Sequence, residues 1–143
     1  MDKKILRIID ANFNRLREGL RVCEEVVRFF MEEEDLTPEF KKARHLADRI
    51  LRNSTIDLTE VIMHRDSDED VGRESSENEM VRSNIIEVFS ANIERVKESL
   101  RVLEEFCKLS DPDVAEKFKS LRFKIYTLEK ETIERLYVVC NIG

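Results

Sequence analysis

Tryptophan and glutamine are absent from the 143 residues, and glycine and proline occur only three and two times. A β protein needs glycine and proline in its turns, so their scarcity favours long helices joined by few turns. No apolar run approaches the roughly 20 residues that span a bilayer. The N-terminal sequence MDKKILRII is too charged for a signal peptide. We therefore expect a cytoplasmic protein with no membrane partner.

The sequence also lacks an excess of basic residues and a recognisable cysteine motif. The net charge is −6, which argues against a general nucleic-acid binder, because such proteins present a basic face. Cys23, Cys107 and Cys140 are odd in number and far apart, so they offer neither a disulfide framework nor a zinc spacing. The first two lie on apolar stripes, where we expect buried thiols. The many Glu, Lys and Arg residues, with no Gln, suit a thermophile.

Apolar residues recur three and four positions apart along most of the chain, which is the period of an α-helix. The first such seam ends at Phe30. Thr37-Pro38 and Asp111-Pro112 each pair a capping side chain with a proline suited to the first helical turn. The predicted helices cover residues 2–32, 38–52, 79–109 and 112–139, with a further turn or two at 58–63 and a loop at 64–78.

One segment occurs twice. Residues 11–25, ANFNRLREGLRVCEE, match residues 91–105, ANIERVKESLRVLEE, at nine of fifteen positions. The helices that follow also correspond, since Arg44 aligns with Arg122. The predicted fold is an all-α antiparallel helical bundle, made of two duplicated helical hairpins in a single domain, 1–143. Repeat one covers about 2–52, the inserted loop segment about 53–78, and repeat two about 79–139.

A polar stripe is copied more faithfully than the apolar seam. Arg15, Glu18, Arg21 and Glu25 all have identical counterparts in the second copy. One interpretation is a ladder of ion pairs along each helix, because oppositely charged residues three or four apart attract each other. The other is direct ligand contact, because a planar guanidinium that grips phosphate or carboxylate at two points is not replaced by lysine. The sequence leaves both open.

Three stretches carry a resemblance to a known family. ANFNRLREGLRVCEEVVRF, RDSDEDVG and ANIERVKESLRVLEE occur in that order. Together they resemble the helical domain often fused ahead of bacterial thiamine-phosphate synthase, over roughly residues 5–139. That domain is associated with hydroxymethylpyrimidine-phosphate kinase activity. The resemblance therefore implies thiamine biosynthesis, with ATP-dependent phosphorylation of hydroxymethylpyrimidine phosphate to the diphosphate. No stretch resembles the synthase barrel, so we expect a standalone chain whose product passes to a separate synthase.

The resemblance also implies ATP and Mg²⁺, although the sequence has no recognisable glycine-rich phosphate loop. Phosphoryl transfer depends mainly on positioning and charge neutralisation. Asp66 and Asp70 are the candidate catalytic residues and Mg²⁺ ligands, and Glu18 or Glu98 is a candidate base. The predicted residues for the pyrimidine phosphate are Asn12, Arg15, Arg21, Arg44, Arg65, Gly72, Asn92, Arg95, Arg101 and Arg122.

Two alternatives to the kinase remain. The chain could be a non-catalytic helical partner of thiamine-phosphate synthase, because Val22 and Phe29 give the first helix a second, partly apolar face. Two such faces on a long helix also suit a homodimer. A weaker alternative starts from the opening LRIIDANFNRL, which is similar to the first helix of chorismate mutases. The duplication and the DVG loop do not fit that class.

Overall fold

The computed structural model describes residues 1–63, 65, 71–72 and 80–140. These residues form helices and turns with no strand, so the predicted all-α bundle is confirmed. The helices are α1 (Lys3–Glu25), α2 (Leu36–Arg52), α3 (Leu58–Met63), α4 (Ile85–Cys107) and α5 (Pro112–Val139). The predicted break after residue 52 and the short helix at 58–63 are also confirmed. The division of the chain into repeats stays a prediction.

The four long helices form a ring in which each packs on two others. α1 contacts α4 and α2, and α5 contacts the same two helices. α2 and α5 run antiparallel, and polar contacts tie them at both ends. At one end Asp111 accepts hydrogen bonds from the Thr55 backbone and hydroxyl at 3.1 and 3.2 Å. At the other end Arg135 reaches back to Asp35 at 2.7 Å. The bundle is therefore closed around one apolar core.

The backbones of α1 and α4 approach each other closely where the two helices cross. A β-carbon at Gly19 would lie 2.7 Å from Val96 Cγ2 and 3.0 Å from the Asn92 carbonyl oxygen. Glycine lets the two backbones meet here, because it has no side chain to hold them apart. Across the core, the rings of Phe40 and Phe89 meet edge to face with centroids 6.1 Å apart. This crossing fixes how the two copied segments face each other.

The last turn of the first helix departs from the prediction. Residues Val26–Phe30 form a wide π-helical turn, closed by a hydrogen bond from Met31 N to Val26 O. The wider turn shifts the register of the side chains that follow it. Phe30, predicted on the buried seam, is consequently 49% exposed, and its neighbour Phe29 is 63% exposed. Glu32 then turns the chain in the left-handed region, with φ of 54°.

The helix starts confirm one predicted cap and correct another. Asp111 caps α5 by accepting from Val114 N, and Pro112 occupies the first turn, as predicted. Thr37 was predicted to cap α2, which was wrong: α2 begins earlier, at Leu36, and the Thr37 hydroxyl donates to Glu33 O instead. The third long helix was predicted from residue 79, but α4 begins at Ile85, where the Asn84 side chain caps it.

Two further expectations concern the cysteines and the membrane. Cys23 and Cys107 are buried free thiols, as predicted, while Cys140 is half-buried. Burial raises the pKa of Cys107 to about 12, because it penalises the charged thiolate, and Asp111 adds to this rise. Among the helices of the described ranges, none is both long enough and apolar enough to cross a bilayer.

Candidate functional site

Each of the two copied segments holds a buried glutamate that pairs with arginines. In the first half, Glu24 accepts from Arg44 Nε at 3.2 Å and lies 3.5 Å from Arg21. Glu24 is 2% exposed, so its charge needs these partners. Arg21 also pairs with the more exposed Glu25 at 3.1 Å. Of the predicted phosphate-binding arginines, Arg44 thus joins α2 to α1, and Arg21 pairs within α1.

The second half repeats this network. Glu104, which is also buried, accepts from Arg122 Nη2 at 3.0 Å and pairs with Arg101 at 3.1 Å. Arg101 reaches Glu105 at 2.9 Å, as Arg21 reaches Glu25. Ion pairs within a single helix, as one interpretation of the copied stripe supposes, are therefore present for Arg21 and Arg101, and Arg44 and Arg122 connect the neighbouring helices to the buried glutamates.

The copied asparagines also make matching contacts. Asn12 Nδ2 donates to Ile8 O at 2.9 Å, and Asn92 Nδ2 donates to Val88 O at 2.8 Å. Each bond joins a side chain to the carbonyl one turn earlier in the same helix. These donors bind within α1 and α4 and do not bridge two helices. Their predicted role in holding a pyrimidine stays a prediction.

The rest of the copied stripe is differently placed. Arg15, Glu18, Arg95 and Glu98 are exposed, and they take part in none of the ion pairs formed among the described residues. Glu18 and Arg95 each precede a residue of the α1–α4 crossing, Gly19 and Val96. No contact within this part of the chain accounts for the identity of these four residues in both copies. Ligand contact stays the open interpretation for them.

A polar cleft lies on α1 beside α2 in the first half of the chain. It has a volume of about 320 Å³ and is lined by Asn14, Arg17, Glu18, Arg21 and Arg44. Arg17 pairs with Asp48 of α2 at 3.1 Å, which fixes one rim. The cleft thus brings together three predicted site residues and two that were not predicted, Asn14 and Arg17.

Arg65, the first residue of the RD motif, is anchored next to this cleft. Arg65 binds Asp10 of α1 through two hydrogen bonds, from Nε at 2.8 Å and from Nη2 at 2.7 Å. Asp10 is buried, and this contact raises the pKa of Arg65 further above its usual range. Asn14, which lines the cleft, donates to the same Asp10 carboxylate at 3.2 Å. The predicted residue Arg65 is therefore linked to the cleft through Asp10 and Asn14.

The central residues of the predicted magnesium site, Asp66 and Asp70, lie outside the described residues. Gly72 is described as part of a turn and is exposed. Within the described ranges, no group of three or more His, Cys, Asp or Glu side chains is positioned to hold a metal ion. The Mg²⁺ site consequently stays a prediction.

A second groove, between α2 and α5, is larger but holds none of the predicted site residues. Its volume is about 550 Å³, and Leu46, Ile50 and Leu121 give it a largely apolar floor with Lys117 and Lys124 among the charged groups around it. The smaller cleft on α1 is the better candidate for polar chemistry, because charged and amide side chains converge there.

Sequence reasoning missed Asp10, Asn14 and Arg17. A signal for them was present in the repeat itself. At two of these positions the copies differ in chemistry, with Ser90 in place of Asp10 and Glu94 in place of Asn14. The prediction relied on positions that are identical in the two copies, and these are mainly residues that build both hairpins. The residues that distinguish one half from the other mark where the inserted segment is anchored.

Fold and cleft together define a class: a small all-α domain of paired helical hairpins with an arginine-lined cleft on its first helix. The chain belongs to the ThiD2 family, whose model matches residues 7–131. No solved structure matches it.

Similar curated proteins are much longer than this chain. The thiamine-phosphate synthase of Nostoc punctiforme is 40% identical over an alignment of 148 positions, which covers 96% of this chain and 40% of that protein. The synthase of Synechocystis sp. is 40% identical over 126 residues, which cover 87% of this chain and 35% of that protein. The synthase of Rhodopirellula baltica is 37% identical over 131 residues, covering 90% and 34%. The chain thus spans little more than a third of the length of the relatives it matches.

Proposed function

We propose that this chain serves thiamine biosynthesis as a helical domain that works together with thiamine-phosphate synthase. The observation that carries this proposal is the similarity to proteins named thiamine-phosphate synthase, which include such a domain within a longer chain. A domain that is part of one polypeptide in some organisms can act as a separate partner in others, because the same contacts then form between two chains. A homodimer stays a prediction.

One end of the bundle has the properties of a contact surface for the synthase. Phe29 and Phe30 are exposed in the π-helical turn, and Tyr137 and Val138 are exposed near the end of α5. The ion pairs of Arg135 with Glu33 and Asp35 bring these two segments to the same end. Aromatic and aliphatic side chains grouped in this way are typical of the apolar centre of a protein interface.

Size-exclusion chromatography of the chain with a purified thiamine-phosphate synthase tests this association. We expect a complex that the Phe29→Ser variant weakens by about tenfold, because an exposed aromatic anchor contributes a kilocalorie or more to binding. Leu109→Ser is the matched control. Leu109 is 66% exposed and Phe29 is 63% exposed, but Leu109 follows the C-terminal end of α4, at the end of the bundle opposite Phe29. Absence of a complex, or equal weakening by both variants, would contradict this docking surface.

The second candidate is the kinase, phosphorylation of hydroxymethylpyrimidine phosphate. The observation that favours it is the arginine cleft next to the anchored Arg65. In this reaction an oxygen of the substrate phosphate attacks the terminal phosphorus of ATP, and ADP leaves. ATP supplies the phosphoryl group. Arg21 and Arg44 would orient and neutralise the substrate phosphate, and Glu18 would hold the orientation of an arginine.

Product formation from hydroxymethylpyrimidine phosphate, ATP and Mg²⁺ tests the kinase directly. The wild type and Asp70→Asn are compared with Asp113→Asn, which alters an exposed aspartate in the α2–α5 groove. Diphosphate from the wild type and the control, but not from a helical Asp70→Asn variant, supports the kinase and the role of Asp70. Equal turnover in all three removes Asp70 from the mechanism. No product from the wild type leaves the synthase partner as the proposal.

A further inference from the structure

The two halves of the chain can be compared at the positions that line the arginine cleft. In the first half these positions surround an open space of about 320 Å³. Their counterparts follow from the alignment of the copied segments and of Arg44 with Arg122. The pairs are Asn14 and Glu94, Arg17 and Lys97, Glu18 and Glu98, Arg21 and Arg101, and Arg44 and Arg122. Asp48, which pairs with Arg17 at the rim of the cleft, aligns with Tyr126.

In the second half a tyrosine, Tyr126, contacts the cations equivalent to Arg17 and Arg44. Arg122 Nη1 donates to the Tyr126 hydroxyl at 3.1 Å, and the Tyr126 ring centroid lies 5.5 Å from Lys97 Nζ. Lys97 is also held by Glu94 and Glu129 at 2.5 and 3.0 Å. An aromatic ring and two carboxylates of the same chain thus satisfy the cations here. In the first half the shorter Asp48 reaches Arg17 and leaves the cleft open.

We infer that the first half alone binds a ligand, an anion of the phosphate class, in the cleft between Arg17, Arg21 and Arg44. The second half is a structural copy whose equivalent cleft is filled by Tyr126. This inference rests on the proposed function, because it assigns the phosphate of the second candidate's substrate to one of two similar places. A volume of about 320 Å³ accommodates a phosphate with a small ring.

Arg21 is the arginine that can exchange its ion-pair partner for a bound anion. Its ion pair with Glu25 is exposed on both sides, with side chains 54% and 39% accessible. Exposed pairs of this kind contribute about 0–1 kcal/mol, so a doubly charged phosphate can replace Glu25 as the partner. Arg44 is held by the buried Glu24 and presents its remaining N–H groups from a fixed position. One arginine therefore exchanges its partner, and the other is preorganised.

Titration of the ¹⁵N-labelled chain with inorganic pyrophosphate, without metal, tests the inference residue by residue. We expect saturable shifts of backbone amides at residues 14–21 and at Arg44, and no comparable shifts at 94–101 and at Arg122. Arg21→Gln should weaken binding by about tenfold, the effect of losing one charge-assisted contact. Arg101→Gln is the matched control, since Arg101 and Arg21 are both 54% exposed and each pairs with two glutamates. We expect it to bind as the wild type does.

Asp48→Tyr provides a second test, because it places in the first half the residue that fills the second. We expect it to abolish saturable binding while every arginine remains present. Asp48→Ala separates filling of the cleft from loss of the Arg17 partner. It keeps the space open and removes a negative charge, so binding should be unchanged or tighter. Undiminished binding by a folded Asp48→Tyr variant would overturn the inference.

Three other outcomes would also overturn it. These are the absence of saturable shifts, shifts of equal size in both halves, and equal weakening by Arg21→Gln and Arg101→Gln. The result is separable from the kinase assay. A chain that binds pyrophosphate in the first half without making diphosphate would support this inference and contradict the kinase. A chain that makes diphosphate but fails the titration would contradict this inference alone.

Discussion

Substitution of Gly19 by alanine adds one methyl group, which has two opposing effects on the stability of the fold. Inside an exposed helix the change stabilises by about 1 kcal/mol, because alanine is the better helix former. At the α1–α4 crossing the new carbon would meet Val96 Cγ2 at 2.7 Å and the Asn92 carbonyl oxygen at 3.0 Å. Val96 is fully buried and branched at Cβ, so it cannot rotate away cheaply. The helices must move apart, and overpacking of this kind costs about 1–3 kcal/mol.

We therefore expect Gly19→Ala to lower the free energy of unfolding by about 1 kcal/mol, which is about 2–4 °C in Tm for a chain of this size. Urea unfolding followed by helical circular dichroism measures it. Ser99→Ala is the matched control: it aligns with Gly19 in the second copy and is buried there as well. In the Gly19→Ala, Val96→Ala double variant the loss should be smaller than the sum of the single losses. Stabilisation by Gly19→Ala, or strict additivity, would refute the reasoning.

Three further predictions concern other parts of the molecule. Arg135 lowers the pKa of Asp35 to about 2, so the pair stabilises the fold above the usual aspartate pKa, and this contribution is lost as the pH falls from about 4 towards 2. Over this pH range the Tm of the wild type should drop more steeply than the Tm of Arg135→Gln, and parallel curves would contradict this. Glu24→Ala should cost about 1–3 kcal/mol in urea unfolding, because the 19% exposed Arg44 loses its buried partner, whereas Glu94→Ala should cost far less. At pH 8 a thiol reagent should react readily with Cys140 in the folded chain but not with Cys23 or Cys107, because burial raises the pKa of these two thiols. Reaction of all three thiols per chain without denaturant would be the contrary result.

Much of the fold could be predicted from local sequence. Apolar periodicity located the long helices, and Asp111-Pro112 located the start of α5, because caps and seams depend on neighbouring residues. The exposure of Phe30 was not predictable in this way. It depends on a π-helical turn, where one helix turn accommodates an extra residue, and a period of 3.6 cannot show such a shift.

The candidate site was predictable only in part, for a related reason. Glu18, Arg21 and Arg44 were identified because they recur in the second copy. Asp10 was missed because its partner Arg65 is 55 residues away along the chain. Whether Tyr126 fills a cleft or faces solvent likewise depends on the packing of two helices, which the spacing of residues along one helix does not specify.

The buried pairs Glu24–Arg44 and Glu104–Arg122 have a consequence for how the chain finds its fold. If α2 slid along α1 by one turn, Glu24 would lose Arg44 and keep only Arg21 of its own helix, at 3.5 Å, so each pair favours a single alignment of its hairpin. Both hairpins use the same combination, however, and α2 could satisfy Glu104 as well as Glu24. Discrimination between right and wrong helix partners must then come from the contacts that differ, Arg17 with Asp48 in one hairpin and Lys97 with Glu129 in the other.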